Sequence, residues 1–184
     1  MKALLLSAGA ALLIGTAPAQ AGNFSVGTSF AEACFRAAEN RDVSTSAREA
    51  CDRALAADEV LSQADRAGTY VNRGILFMHM GQLGRANLDF DRALAMDRRL
   101  AEAWLNKGIA QMKAGNSSAA LELAGRSIEL RTNKPAIAYY IRGLAHEQTG
   151  NVRAAYADLT RARALAPKWP EPAIELARYQ VRSR

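Results

Sequence analysis

Few side chains in this sequence stand where they could do chemistry. Cys34 and Cys51 are the two cysteines, and His79 and His146 the two histidines. A Cys pair can be a disulfide, two buried thiols, a redox couple or half of a metal site. Redox motifs bring their cysteines closer together, and no histidine or third cysteine lies nearby in sequence to complete a metal tetrad. An even cysteine count in an exported chain suits a disulfide. If the chain folds back near Asp42, Cys34 and Cys51 fall opposite each other on two antiparallel helices, and closing that loop is worth about 3 kcal/mol in the chain-entropy model. The serines follow no nucleophile-elbow pattern, and no glycine-rich loop follows a strand. The reading is of a protein without a catalytic site, metal or cofactor.

Those residues sit in a chain of 184 residues, enough for one domain or a short repeat array. Its start is set apart. Met1-Lys2 precedes an apolar run from Ala3 to Gly15, and Ala19-Gln20-Ala21 fits the small-x-small rule of a signal-peptidase site. The run is short for a membrane span, which needs about 20 residues. Residues 1–21 are therefore read as a leader cleaved on export to the periplasm, with 22–28 a flexible N-terminus. No membrane insertion is expected afterwards. Losing Lys2 lowers by one a formal net charge of +6. Arg alternates with Glu and Asp rather than forming a run, so the basicity reads as a solvated surface and not as a nucleic-acid interface.

The remainder is rich in Ala, Leu, Arg and Glu, with no alternating run long enough for a strand, and reads as all-α. It also repeats. Gly74, Gly108 and Gly143 recur at intervals of 34 and 35 residues, and each is followed seven residues later by another glycine, Gly81, Gly115 or Gly150. An aromatic precedes each first glycine by four: Tyr70, Trp104 and Tyr139. Twelve residues after it come Ala86, Ala120 and Ala155, then Phe90, Ala124 and Leu159, then Ala93, Ser127 and Ala162, with Pro167 closing the third unit. The second glycine of each unit suits a helix C-cap and turn. The first lies inside a helix, where it costs about 1 kcal/mol against Ala, so its repetition implies close approach of the partner helix. One helix pair cannot bury its apolar face alone, so the units must stack.

This aromatic–glycine–alanine–proline pattern resembles the tetratricopeptide repeat (TPR), in units expected at 67–100, 101–135 and 136–170. The departures are missing prolines after the first two units and Ala124 where a bulky residue is usual. The resemblance implies a right-handed α-solenoid of helix-turn-helix hairpins. A divergent hairpin at 29–66 is expected ahead of the units, with capping boxes opening at Ser29, Ser46 and Ser62 and Phe35 in the place of the motif glycine. A capping helix at 171–184 is expected after them, with Ile174, Ala177 and Val181 as its apolar stripe and Glu171, Glu175, Arg178 and Arg182 facing away.

The resemblance also implies a concave groove lined three before, one after and four after each motif glycine. Those positions are Val71, Ile75 and Met78; Leu105, Ile109 and Met112; Tyr140, Leu144 and Glu147. Eight of the nine are apolar or aromatic, which suits an amphipathic helix or an extended apolar peptide. Asn72 and Asn106 stand where some relatives hold a peptide backbone. Val71 and Ile75 occupy places that a carboxylate clamp would fill with Lys and Asn, so that specificity is not expected. The function implied is a non-catalytic periplasmic adaptor for a protein or peptide partner, the alternative being a self-assembling homodimeric module.

Overall fold

The computed structural model describes residues 29–56 and 60–179. The leader at 1–21, the segment 22–28, Val181 and Arg182 lie outside the described residues. Among those described there are nine helices and no strand: α1 Phe30–Asn40, α2 Thr45–Ala54, α3 Gln63–His79, α4 Leu83–Met96, α5 Ala101–Lys113, α6 Ser117–Glu129, α7 Pro135–Gln148, α8 Val152–Leu165 and α9 Glu171–Leu176. Consecutive helices pack against each other all along the chain. The odd-numbered helices α1, α3, α5 and α7 also touch in series, whereas the even-numbered ones make no comparable contact with one another. The odd layer is therefore the closer-spaced, inner face of a curved stack.

The turns follow from glycine. Gly81, Gly115 and Gly150 have φ of 73°, 81° and 84°, where a side chain would be strained. Each lets the next residue close the helix behind it: the amides of Gln82, Asn116 and Asn151 donate to the carbonyls of Phe77, Gln111 and His146 at 2.8, 2.9 and 2.8 Å. Arg41 adopts the same left-handed geometry at the end of α1 without being glycine.

The caps hold at two of the three expected places. Ser29 accepts from the Glu32 amide and Ser62 from the Asp65 amide, both at 3.1 Å. The second box is displaced: α2 is capped by Ser44, which accepts from Ala47, not by Ser46. Asp42 fixes this by accepting from the Ser44 amide at 2.9 Å, turning Ser44 into the capping position two residues before the expected one. Starting at Ser62 makes α3 17 residues long against 13 for α5 and 14 for α7.

In the three glycine-bearing hairpins the partner helix approaches closely at the first glycine. A Cβ on Gly74 would stand 2.5 Å from the Phe90 ring. One on Gly108 would meet the Ala124 amide nitrogen and Leu123 Cβ at 3.3 Å, and one on Gly143 would meet Leu159 at 3.1 Å. The partners are thus mainly the residues fifteen and sixteen after the glycine. Of the alanines twelve after it, Ala120 and Ala155 take part through their carbonyls. In the first hairpin this crossing is made by Cys34 and Cys51, joined in a disulfide with Cα atoms 4.7 Å apart. Phe35, expected at that crossing, is instead 47% exposed. The helix phase that brings Cys34 onto α2 turns its neighbour out.

The last helix also differs from expectation. α9 spans six residues and buries Pro172 and Leu176, while Ile174 is 61% exposed. With prolines setting its first turn, the face four apart from Pro172 to Leu176 meets α8, and the expected Ile174–Ala177 stripe turns to solvent. Glu175 does not stand free, because Arg178 pairs with it at 2.5 Å.

Candidate functional site

The inner face formed by the odd helices holds a hollow of about 520 Å³. It is lined by Ala38, Glu39 and Arg41 at the end of α1, by Ile75, Met78 and His79 of α3, and by Leu105, Asn106, Ile109 and Lys113 of α5. Lys134, Ile137, Tyr140 and Ile141 of α7 and its cap, with Trp169 from the loop before α9, complete it. Four helices thus contribute to one surface, and each presents the residues that its 3.6-residue period leaves on the inner side.

Six of the eleven sequence-derived groove positions border this hollow: Ile75, Met78, Leu105, Asn106, Ile109 and Tyr140. They differ in how much they offer. Leu105 is 1% exposed and Met78 6%, so they form the floor, whereas Ile75, Ile109 and Tyr140 are half-buried and reachable. Val71 is 5% exposed and belongs to the core with Phe77 and Phe90. Met112 and Leu144 are half-buried outside the hollow, and Asn72 lines a separate depression with Phe35, Leu61 and Asp65. The Asn106 amide donates to the Glu102 carbonyl of its own helix at 2.8 Å, so it serves the helix before any ligand.

Sequence spacing left out the wall residues. Ile137, Ile141 and Trp169 complete the apolar lining, and Trp169 packs against Tyr140 with ring centroids 4.8 Å apart and the planes tilted by 59°. Ile141, which stands in the third repeat at the position of Asn72 and Asn106, is 8% exposed and part of the floor. The Trp169 contact was hidden because it comes from the loop after α8, at the very end of the third repeat, brought back by the turn into α9.

Charge is distributed unevenly around this hollow. Arg41, His79 and Lys113 close the C-terminal ends of α1, α3 and α5, and none of the three makes an ion pair among the described residues. Partial burial, with Arg41 and then Lys113 adding their positive fields, holds the His79 imidazole below its ordinary pKa of 6.5. At the other end, burial followed by Glu175 and Glu171 pushes the Tyr140 phenol up.

Behind the groove, charges are paired. Arg73 grips Asp89 with two bonds of 2.7 and 2.9 Å and also reaches Asp52 of α2 at 2.9 Å. Arg142 grips Asp158 in the same way at 2.7 and 2.9 Å. The second unit has Leu123 in the Asp position, and its Lys107 turns back to Asp91 at 2.5 Å. His146 lies 3.9 Å from Asp158, joining this structural network and not a site. Among the described residues, no three His, Cys, Asp or Glu side chains gather where a metal could be held.

No protein-family model matches the sequence, and no curated protein matches it. Solved structures do match. The chain is similar to PilW, a type IV pilus biogenesis factor, with TM-score 0.65 and 22% identity over 80% of this chain and 66% of that one. It is similar to MamA, with TM-score 0.63 and 22% identity over 80% of this chain and 76% of that one. It is similar to the first TPR of Spaghetti bound to an HSP90 peptide, with TM-score 0.59 and 19% identity over 62% of this chain and 90% of that one. Likenesses at such identities speak for the fold. Together with the glycine register and the paired helices, they show that the chain has the fold of a tetratricopeptide-repeat solenoid.

Proposed function

We propose that this protein is a non-catalytic adaptor that holds a protein or peptide partner in the groove formed by α1, α3, α5 and α7. The observation that carries the reading is an apolar inner face, with Ile75, Ile109 and Ile137 half-buried and open to the hollow. Such a face gains by taking up an apolar segment. The Spaghetti repeat bound to its peptide is a structural neighbour whose named ligand is also a peptide. The leader at 1–21 and the Cys34–Cys51 bridge support export to the periplasm.

The test is Ile109→Asp. A carboxylate there remains hydrated in the free protein but is desolvated without a partner in the complex, which costs several kcal/mol. Circular dichroism should be unchanged, and partners cross-linked by the wild-type chain in the envelope fraction should be lost. A variant that unfolds places Ile109 in the core, and one that binds normally moves the partner surface elsewhere. Export is checked by the mass of the periplasmic protein, which should begin at Gly22 and be two hydrogens light.

Exposed apolar residues on the last two helices favour one second reading, end-to-end pairing of two copies. Val152 is 55% exposed, Tyr156 39%, Leu165 39% and Ile174 61%. Sedimentation of the wild type against Ile174→Asp decides it: a dimer that dissociates in the variant supports pairing through this end.

A further inference from the structure

The groove has an electrical polarity that follows from its helix ends. α1, α3 and α5 run the same way through the inner layer, so their C-terminal ends lie along one edge, and each ends in a basic or titratable residue: Arg41, His79 and Lys113. These side chains border the apolar floor, are exposed, and meet no acid in an ion pair among the described residues. The basic residues placed just before the motif glycines behave oppositely, since Arg73, Lys107 and Arg142 are each consumed by an aspartate. Lys134, at the start of α7, puts a further cation in the lining but away from that edge. Against these, the lining contributes one carboxylate, Glu39. Glu171 and Glu175 act on Tyr140 from outside the lining, and Arg178 holds Glu175.

We propose that the groove selects an acidic amphipathic peptide segment, its apolar side chains against Ile75, Ile109 and Ile141 and its carboxylates against the edge made by Arg41, His79 and Lys113. The proposal rests on the reading of the groove as a partner-binding surface and adds the chemistry of the partner. Unpaired cations beside an apolar floor reject a basic segment by repulsion and accept an acidic one without first breaking an internal pair. The cations sit at helix ends and not on the groove floor, so they guide the flank of a segment whose middle is held by apolar contact.

The experiment uses the whole chain and two fluorescein-labelled peptides sharing a Leu/Ile core, one followed by glutamates and the other by lysines. Anisotropy should favour the glutamate peptide by about tenfold at low salt, since exposed ion pairs are each worth a fewfold and compound. The preference should shrink as salt is added. Lys113→Glu combined with Arg41→Asn should abolish it; Asn is used at position 41 because it tolerates the left-handed backbone there. Equal binding of both peptides, lost in Ile109→Asp, would overturn charge selection and leave the groove reading standing. Binding of neither peptide would overturn both. A preference that survives the double variant places the acid-reading residues elsewhere. If phosphatidylglycerol vesicles bind in place of the glutamate peptide, the edge reads a lipid surface and the proposal fails.

Discussion

The positions that set this structure are small or charged. Gly74 is the tightest, because Phe90 leaves no room for a methyl group and is itself fully buried. Gly74→Ala should destabilise by about 1–3 kcal/mol in urea unfolding, even though alanine gains about 1 kcal/mol in helix propensity. Gly74→Ala with Phe90→Leu should recover part of the loss, which a backbone effect at residue 74 would not allow. Asp89 is the other such position. It is 1% exposed and held by Arg73 and Arg92, so Asp89→Ala leaves Arg73 without its main partner and should cost about 3–5 kcal/mol. Asp158→Ala should cost less, since that side chain is 10% exposed and lacks the second arginine. The glycines announced themselves by their spacing. The Arg–Asp grips did not, because a basic residue before each glycine reads as surface until the crossing of the helices brings an aspartate sixteen residues onward beside it.

Elements obeyed the sequence where one local rule acted alone. The glycine turns, the caps at Ser29 and Ser62 and the long α3 were all legible, since each depends on a few adjacent residues. They departed from it where two rules competed. Asp42 and Ser46 both offered to organise the α1–α2 turn, and the Asp42 bond to the Ser44 amide moved the cap to Ser44. In α9, the prolines fixed the helix phase and reversed which residues face α8. The α1–α2 hairpin carries its own prediction. Its small core of Cys34, Ala37, Ala38, Ala47 and Cys51 is joined to the rest through Leu76 and Ile75. Reducing the disulfide should therefore lower the melting temperature by several degrees, for a loop contribution of about 3 kcal/mol. Hydrogen exchange should quicken first in α1 and α2, while α5 to α8 keep their protection. Uniform loss of protection would mean the solenoid unfolds as a single unit.

For the whole molecule, the groove was half legible. Spacing located the inner face, but it could not tell floor from rim, nor foresee that Trp169 and the helix ends would bound it. The rim makes binding pH-dependent. In the free protein, burial and the cations Arg41 and Lys113 hold His79 below its ordinary 6.5, with Glu39 the one acid of the lining. Stability linked to neutral His79 is present above that value and declines as pH falls through it toward the depressed one. A bound carboxylate screens both cations and favours the imidazolium, so the complex takes up a proton. Affinity for the glutamate peptide should therefore rise as pH falls from about 7.5 to about 5.5 and fall again once the glutamates themselves protonate. His79→Gln should flatten the rise; an unchanged profile would show that His79 does not meet the peptide. The Cys34–Cys51 bridge has one more consequence, which concerns force and not stability. Stretched between its ends by optical tweezers, the oxidised chain cannot release the 17-residue loop between the sulfurs. At about 3.5 Å per residue, its final contour should be shorter than that of the reduced chain by about 55 Å. The bridge lies in the first hairpin, so the hidden length should be absent from the extension of that hairpin alone, while α3 to α8 unravel to their full length in either redox state.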